Sequence, residues 1–174
     1  MAFKFSYPSK RANRERSDEI SQIAADYKQR HQEGRAESEP LDLAGWYLRY
    51  VHRVDLFAED GNLRDADMRD TMIEMSWFDR ARFNRMVADR ADLGTNEFND
   101  ADLTAASSSG QTRFTMSEFN RATVVNAEFW WSIFDKCQFR DAALQGASFI
   151  SCSMRDADFR GADLEGADLS GCDL

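Results

Sequence analysis

Between Arg155 and Leu174 the chain reads R-D-A-D-F, R-G-A-D-L, E-G-A-D-L, S-G-C-D-L. A large apolar residue falls every five positions, at Phe159, Leu164, Leu169 and Leu174. Two before each lies a small one, Ala157, Ala162, Ala167 or Cys172. A period of five is neither 3.6 nor 2, so it places its apolar set on one face of neither a helix nor a flat strand, and the repeat must be read before any local element. Counting back by fives, the large positions continue through Met154, Phe149, Leu144, Phe139, Phe134, Phe129, Val124, Phe119 and Phe114. The phase then slips by one and resumes at Leu103, Phe98, Leu93, Ala88, Phe83, Phe78, Ile73, Met68 and Leu63.

This pattern resembles the pentapeptide-repeat family, whose unit is A-(D/N)-L-x-x, over about Gly61 to Leu174. The resemblance implies an all-β solenoid: a right-handed quadrilateral β-helix with four pentapeptides per coil and the large and small positions pointing inward. Residues about twenty apart should then stack. With one residue inserted between Leu103 and Phe114, one column becomes an aromatic ladder, Phe78, Phe98, Phe119, Phe139, Phe159. The others run Leu63, Phe83, Leu103, Val124, Leu144, Leu164; then Ile73, Leu93, Phe114, Phe134, Met154, Leu174; then Met68, Ala88, Ser108, Phe129, Phe149, Leu169. The last is weakest where the phase slips. The segment T-A-A-S-S-S-G-Q-T-R after Leu103 holds the extra residue and suits a short bulge.

The 174 residues suffice for one domain with an appended element, and a 43% hydrophobic fraction is enough to build a core. No apolar run is long enough to span a bilayer and the N-terminus lacks a secretory h-region, so the expected location is cytoplasmic, with no membrane partner. Cys137, Cys152 and Cys172 all fall on the inward small position, where a thiol acts as a small hydrophobe.

Ahead of the repeat, residues 1–16 form a basic arm or tail in which Phe3, Phe5 and Tyr7 alternate. Residues 17–60 are expected to be an N-terminal α-helical cap. Its first helix starts at Ser17 and carries Ile20, Ile23, Ala24 and Tyr27 at helical spacing; a linker follows from Gln32 to Pro40. A second helix is expected from about Asp42, carrying Trp46, Tyr47, Tyr50, Val51 and Val54. Such a cap would cover the open first coil of the β-helix spanning 61–174.

Little in the chain points to catalysis. His31 and His52 lack carboxylate or cysteine partners at ligand spacing, and no P-loop, dinucleotide fingerprint or nucleophile elbow is present. The chain is read as a non-enzyme with neither cofactor nor metal. Two surfaces stand out instead. From Gly61 to Leu174 there are 20 acidic and 12 basic residues, with the acids gathered toward the ends. Asp158, Asp163, Asp168 and Asp173 recur at one outward position, with Glu165 between them, and should ring the C-terminal end. The second surface is apolar. Val125, Trp130, Trp131, Ile133 and Ile150 occupy outward positions that should be polar, and a contiguous patch with two tryptophans needs a cover, either the N-terminal arm or a partner.

Some pentapeptide-repeat proteins bind enzymes that act on DNA by imitating a duplex. The resemblance therefore implies a decoy inhibitor, phage- or plasmid-coded, for a nucleic-acid-binding protein such as a topoisomerase or a host defence complex of the CRISPR effector kind. It would not itself bind nucleic acid. A repeat roughly 27 Å long replaces duplex carrying about sixteen charges, whereas this repeat has a net charge of −8. Imitation would be partial. The alternative is a structural interaction module acting through Trp130 and Trp131. The uncovered inward residues Leu169 and Leu174 lead to the expectation of a homodimer through the C-terminal end.

Overall fold

The computed structural model describes residues 19, 20, 22, 23, 25, 29 and 41–174 except 55. From Asp42 onward the backbone climbs in parallel bridges whose register is twenty residues but for one added residue. Asp42 pairs with Asn62, Asn62 with Arg82, Arg82 with Asp102; from the fourth coil the step is briefly 21 (Asp102 with Thr123) before twenty resumes (Thr123 with Ala143). The chain is a right-handed β-helix solenoid, with a turn at nearly every fifth residue and four turns to a coil. Only a few pairings lengthen into strands: β1 (His52–Val54) on β2 (Met72–Glu74), and β3 (Ser107–Ser108) on β4 (Glu128–Phe129), both parallel. Faces are named here by their inward residue in the second coil: Leu63, Met68, Ile73 and Phe78.

Each regular corner is a four-residue turn. Phe78 to Ala81 is typical, with the Ala81 N–H donating to Phe78 O at 3.0 Å and Arg80 at φ 59°. A positive φ at the third turn residue recurs through the solenoid, at non-glycine residues between 48° and 63°. An L-residue is strained there, and Asp and Asn, which recur at this position, tolerate it best.

The columns form as the period of five requires. Phe78, Phe98, Phe119, Phe139 and Phe159 stack with successive ring centroids 5.1, 4.8, 4.9 and 5.1 Å apart, the last three pairs within 8° of parallel. A second stack joins Phe114 to Phe134 at 4.8 Å, and edge contacts such as Phe114 to Phe119 at 5.6 Å lace the columns together. The inward small positions also behave as read. Cys137 and Cys152 are buried, and each thiol donates to a carbonyl of the coil below, Phe114 O at 2.9 Å and Phe129 O at 3.0 Å. Burial pushes both thiols up to about 12, which keeps them protonated.

The second helix is not formed. Residues 41–57 are coil of the same solenoid: Tyr47 bridges Asp67, and Phe57 bridges Trp77. The solenoid thus begins about twenty residues before the Gly61 boundary, and it is masked in sequence by large residues at the positions that are small elsewhere. In this first coil the positions that are small elsewhere carry Leu41, Trp46, Val51 and Leu56, while Ala58 stands where phenylalanine recurs above it. Leu41, Leu43, Leu48, Val51, Leu56 and Ala58 are all buried: Leu56 and Ala58 exchange sizes relative to the coils above, while Leu41 and Leu43 place large residues at both inward positions. Spacings of three and five were both present in this stretch, and the fivefold one governs.

In the preceding segment Glu19, Ile20, Gln22, Ile23, Ala25 and Gln29 are helical, as the spacing predicts. Ile20 is buried and Ile23 half-buried, both in the hydrophobic cluster that holds Leu41 and Leu43. The basic arm of residues 1–16, the capping Ser17, His31 and the linker to Pro40 lie outside the described residues.

Candidate interaction surfaces

Three regions depart from the regular coil, and each departure has a local cause. The first is the corner between the Ile73 and Phe78 faces. There the turn bond to Ser76 is absent, and a side chain replaces it. Asn96 Oδ1 accepts from Ser76 N–H at 2.8 Å while its Nδ2 donates to Ile73 O at 2.7 Å, and Ser117 Oγ in turn accepts from Asn96 N–H at 3.1 Å. Ser76, Asn96 and Ser117 are fully buried, so these polar groups depend on one another. Beside this corner lies an acidic strip that the sequence reading missed. Glu59, Asp79, Glu97 and Glu118 fall on the Phe78 face in four successive coils. Burial first, then the neighbouring Glu59 charge, holds the Asp79 carboxyl above its ordinary range, while an Asn99 N–H bond and the Arg80 charge oppose this. Burial also raises Glu97, with the charges of Asp79, Glu118 and Glu59 adding to it. Glu59 pairs with Arg80, but no ion pair forms at Asp79, Glu97 or Glu118 among the described residues. The strip is hidden in sequence because Glu59 and Asp79 follow the inward large position whereas Glu97 and Glu118 precede it.

The second region is the corner between the Met68 and Ile73 faces, where the inserted residue sits. Ser109 N–H donates to Asp89 at a spacing of twenty, whereas Arg113 bridges Asp92 at twenty-one, so Gly110 is the insertion. The hydroxyls of buried Ser108 and Thr112 lie 2.5 Å apart, and Thr112 also donates to Ala88 O. In the next coil the regular turn bond to Ser132 is missing as well, and Trp130 N–H instead donates to Ser108 O at 2.8 Å. The opened corner displays the two tryptophans. Trp131 is 57% exposed; Trp130 is half-buried, its Nε1–H donating to Ser148 Oγ at 3.3 Å. Their rings meet edge to face at 6.3 Å. Ile150 follows Trp130 one coil on, and Ile133 is exposed around the corner. The Ser-rich bulge and the tryptophan patch are thus one irregularity.

The third region is the C-terminal end. The inward residues Phe159, Leu164 and Leu169 are only partly buried, and Leu174 is 71% exposed. The four aspartates differ from one another. Asp158 lies between Arg160 at 2.6 Å and Arg140 at 2.5 Å, and these two guanidinium groups, Arg160 first, hold its carboxyl far below the usual range. Asp173 pairs with Arg155 at 2.5 Å. Asp163 accepts from the Gln145 side-chain amide and from the Glu165 backbone N–H at 3.0 Å, and Asp168 from the Ser170 backbone at 2.9 Å. The net acidity of this end therefore rests on Asp156, Asp163, Glu165 and Asp168. Farther back, arginines stand over aspartates at the left-handed position of successive coils: Arg80 on Asp60, Arg85 on Asp65, Arg90 on Asp70, Arg121 on Asp100. These rungs spend much of the repeat's charge internally.

Among the described residues no group of three His, Cys, Asp or Glu side chains could hold a metal ion, and no helix is long and apolar enough to cross a membrane. The family model of pentapeptide repeats matches residues 137–174 as eight copies. Among solved structures, a trypsin-treated variant of QnrB1, a plasmid-mediated fluoroquinolone resistance protein, is similar with a TM-score of 0.51. It shares 14% identity and covers 70% of this chain and 74% of its own. HetL, a pentapeptide-repeat protein involved in heterocyst differentiation regulation in the cyanobacterium Nostoc sp. strain PCC 7120, covers 85% of this chain and 93% of its own at 16% identity, with a TM-score of 0.31. No curated protein matches in sequence. Residues 137–174 thus carry pentapeptide repeats, and the solenoid as a whole has the fold of pentapeptide-repeat proteins.

Proposed function

We propose that this protein is a non-catalytic decoy, quadrilateral in section and capped by its N-terminal helix, that presents duplex-like charge to a nucleic-acid-binding protein. The observation that supports it best is the Phe78 face, where carboxylates recur coil by coil and three of them, Asp79, Glu97 and Glu118, have no counter-ion among the described residues. Burial, with neighbouring carboxylate charge added, raises the proton affinity of Asp79 and Glu97, a cost to the folded chain that a cationic groove would offset. Asp163, Glu165 and Asp168 extend the charge toward the C-terminal end, with Asp158 and Asp173 muted by their arginines. Pairing of two such ends through Leu169 and Leu174 would bring their acids together, giving a cytoplasmic homodimer. The resistance protein among the solved neighbours fits such a reading, with a topoisomerase or a CRISPR effector as the target class.

The test is competition. A type II topoisomerase and an RNA-guided nuclease are each offered a labelled duplex with increasing protein, wild type or Asp79→Asn/Glu97→Gln/Glu118→Gln. The wild type should displace duplex from one of them, added salt should weaken the displacement, and the triple variant should lose at least tenfold in potency while melting no lower. The second reading, an interaction module built on Trp130 and Trp131, draws on the exposed indole of Trp131. It prevails if Trp130→Ala/Trp131→Ala abolishes target binding and the carboxamide variant does not.

A further inference from the structure

From the fourth coil to the end of the chain, the Met68 face and its corner form a strip of unusual composition. Glu128, Trp130, Trp131, Ile150 and Asp168 stand among serines, glutamine and glycine, and the strip contains no lysine or arginine. In a chain whose residues are 30% charged, a basic-free strip this long is distinctive. Its two carboxylates form no ion pair among the described residues, and its centre is the indole pair held out by the opened corner. Such a surface fits an extended segment that alternates apolar side chains and then turns basic. The apolar side chains would cover the indoles, and the bases would meet Glu128 and Asp168.

One segment with that composition is in the chain itself. Residues 3–7 read F-K-F-S-Y, and Lys10, Arg11, Arg14 and Arg16 follow Pro8. In an extended chain Phe3, Phe5 and Tyr7 share one face. Length permits the contact. The twelve residues from Tyr7 to Glu19 reach roughly 40 Å when extended, and the coil of Trp130 is four steps, roughly 20 Å, above the first coil. We propose that this strip is the docking surface of the chain's own N-terminal segment, Phe3 to Arg16, with Phe3, Phe5 and Tyr7 on Trp130, Trp131 and Ile150. The segment would shield the indoles from unrelated apolar surfaces, and any partner that uses them must first displace it. This inference shares only Asp168 with the decoy reading, which is carried by the Phe78 face and tested there by other residues.

The test uses full-length protein labelled with 5-fluorotryptophan, whose four tryptophan resonances are assigned by single Trp→Phe substitutions. Replacing Phe3, Phe5 and Tyr7 together by Ser should move the Trp131 resonance and increase its solvent isotope shift by at least twofold, leaving Trp46 little changed. Adding the synthetic peptide of residues 1–16 to that variant should restore the wild-type position saturably, and 0.5 M salt should weaken the restoration. The proposal is overturned if the triple variant and the peptide both leave Trp131 unmoved. It is equally overturned if the peptide moves only Trp46 or Trp77, or if the wild-type Trp131 position depends on protein concentration, which would assign the strip to a second copy.

Discussion

The first three coils and the last two share one backbone but satisfy it differently. Toward the C-terminus the corners carry glycine at the left-handed position (Gly146, Gly161, Gly166, Gly171) and alanine or cysteine inside. Toward the N-terminus several of the same corners carry aspartate and arginine joined into rungs, and the inward small position, glycine or alanine at Gly61, Ala66, Ala81 and Ala91, elsewhere takes leucine, tryptophan, valine, methionine, threonine, serine or asparagine. The family model matches only the former. Yet the bridge register carries on through both, so the solenoid constrains the inward volume of each coil and the closure of each corner, with the repeat motif as one solution among several. Where the motif is abandoned, a specific interaction takes its place.

The comparison can be broken at its core first. Phe119 is fully buried between two stacked rings, and Phe119→Ala should cost roughly 3–5 kcal/mol through lost burial and the cavity left behind. Phe159, in the partly exposed last full coil, should cost about half as much. Equal losses in urea unfolding would show that the end of the column is covered in solution. Next comes the substituted corner. Asn96→Ala strands the Ser76 N–H and the Ile73 carbonyl inside, for a loss of roughly 2–4 kcal/mol. A loss below about 1 kcal/mol would mean that the ordinary turn re-forms and the asparagine is dispensable.

A smaller effect separates the two kinds of rung. At Gly161, φ is 73° and a Cβ would collide with Asp141 Oδ1, so Gly161→Ala should cost about 1–2 kcal/mol, partly recovered in an Asp141→Ala background. At the same column two steps earlier, Arg121→Gly removes an exposed ion pair while relieving a positive φ, and should stay within about 1 kcal/mol of wild type. A double-mutant cycle showing no coupling between Gly161 and Asp141 would remove the steric argument. The smallest effect is electrostatic. Asp79 and Glu97 have folded proton affinities raised above their unfolded values, so they disfavour the fold once ionised, and that burden grows as pH rises through the raised folded range. Asp79→Asn/Glu97→Gln should therefore melt slightly higher than wild type at pH 7, with the difference vanishing below about pH 4 where both proteins are uncharged at these sites. The opposite sign, a variant that gains only in acid, would contradict the crowding of charge on this face.

How far the sequence could be read follows the same divide. The four columns and the aromatic ladder were legible because a period of five, held over so many repeats, admits few other arrangements. The first coil was misread as helix because Leu41, Trp46, Val51 and Leu56 put large residues where the pattern has small ones, and aromatic side chains at Trp46 and Tyr50 also satisfy helical spacing. The tryptophan patch was visible as apolar residues at polar positions; that Gly110 opens its corner was not, since an insertion is located only by the register on both sides of it. The acidic strip on the Phe78 face escaped notice because Asp79 and Glu97 occupy different places within their pentapeptides and meet only when coils are stacked. Conversely, the ring of C-terminal aspartates was conspicuous in sequence, and the structure divides it, since Arg140, Arg155 and Arg160 reach back over Asp158 and Asp173.

The twenty-residue register also governs how such a molecule can change over generations. Because each coil rests on the one before by the same twenty-residue step, a duplicated or deleted coil leaves every lateral neighbour with an equivalent partner, and length varies in increments of roughly 5 Å. A single added residue does not share that freedom. Within a face it would send each following inward side chain out to solvent until the next compensating change, whereas at a corner, as with Gly110, it is absorbed for the loss of turn bonds and the new hydroxyl contacts of Ser108 and Thr112. Corners are therefore where this architecture can acquire novelty one residue at a time, and in this chain the corner that has done so is the one displaying the tryptophans.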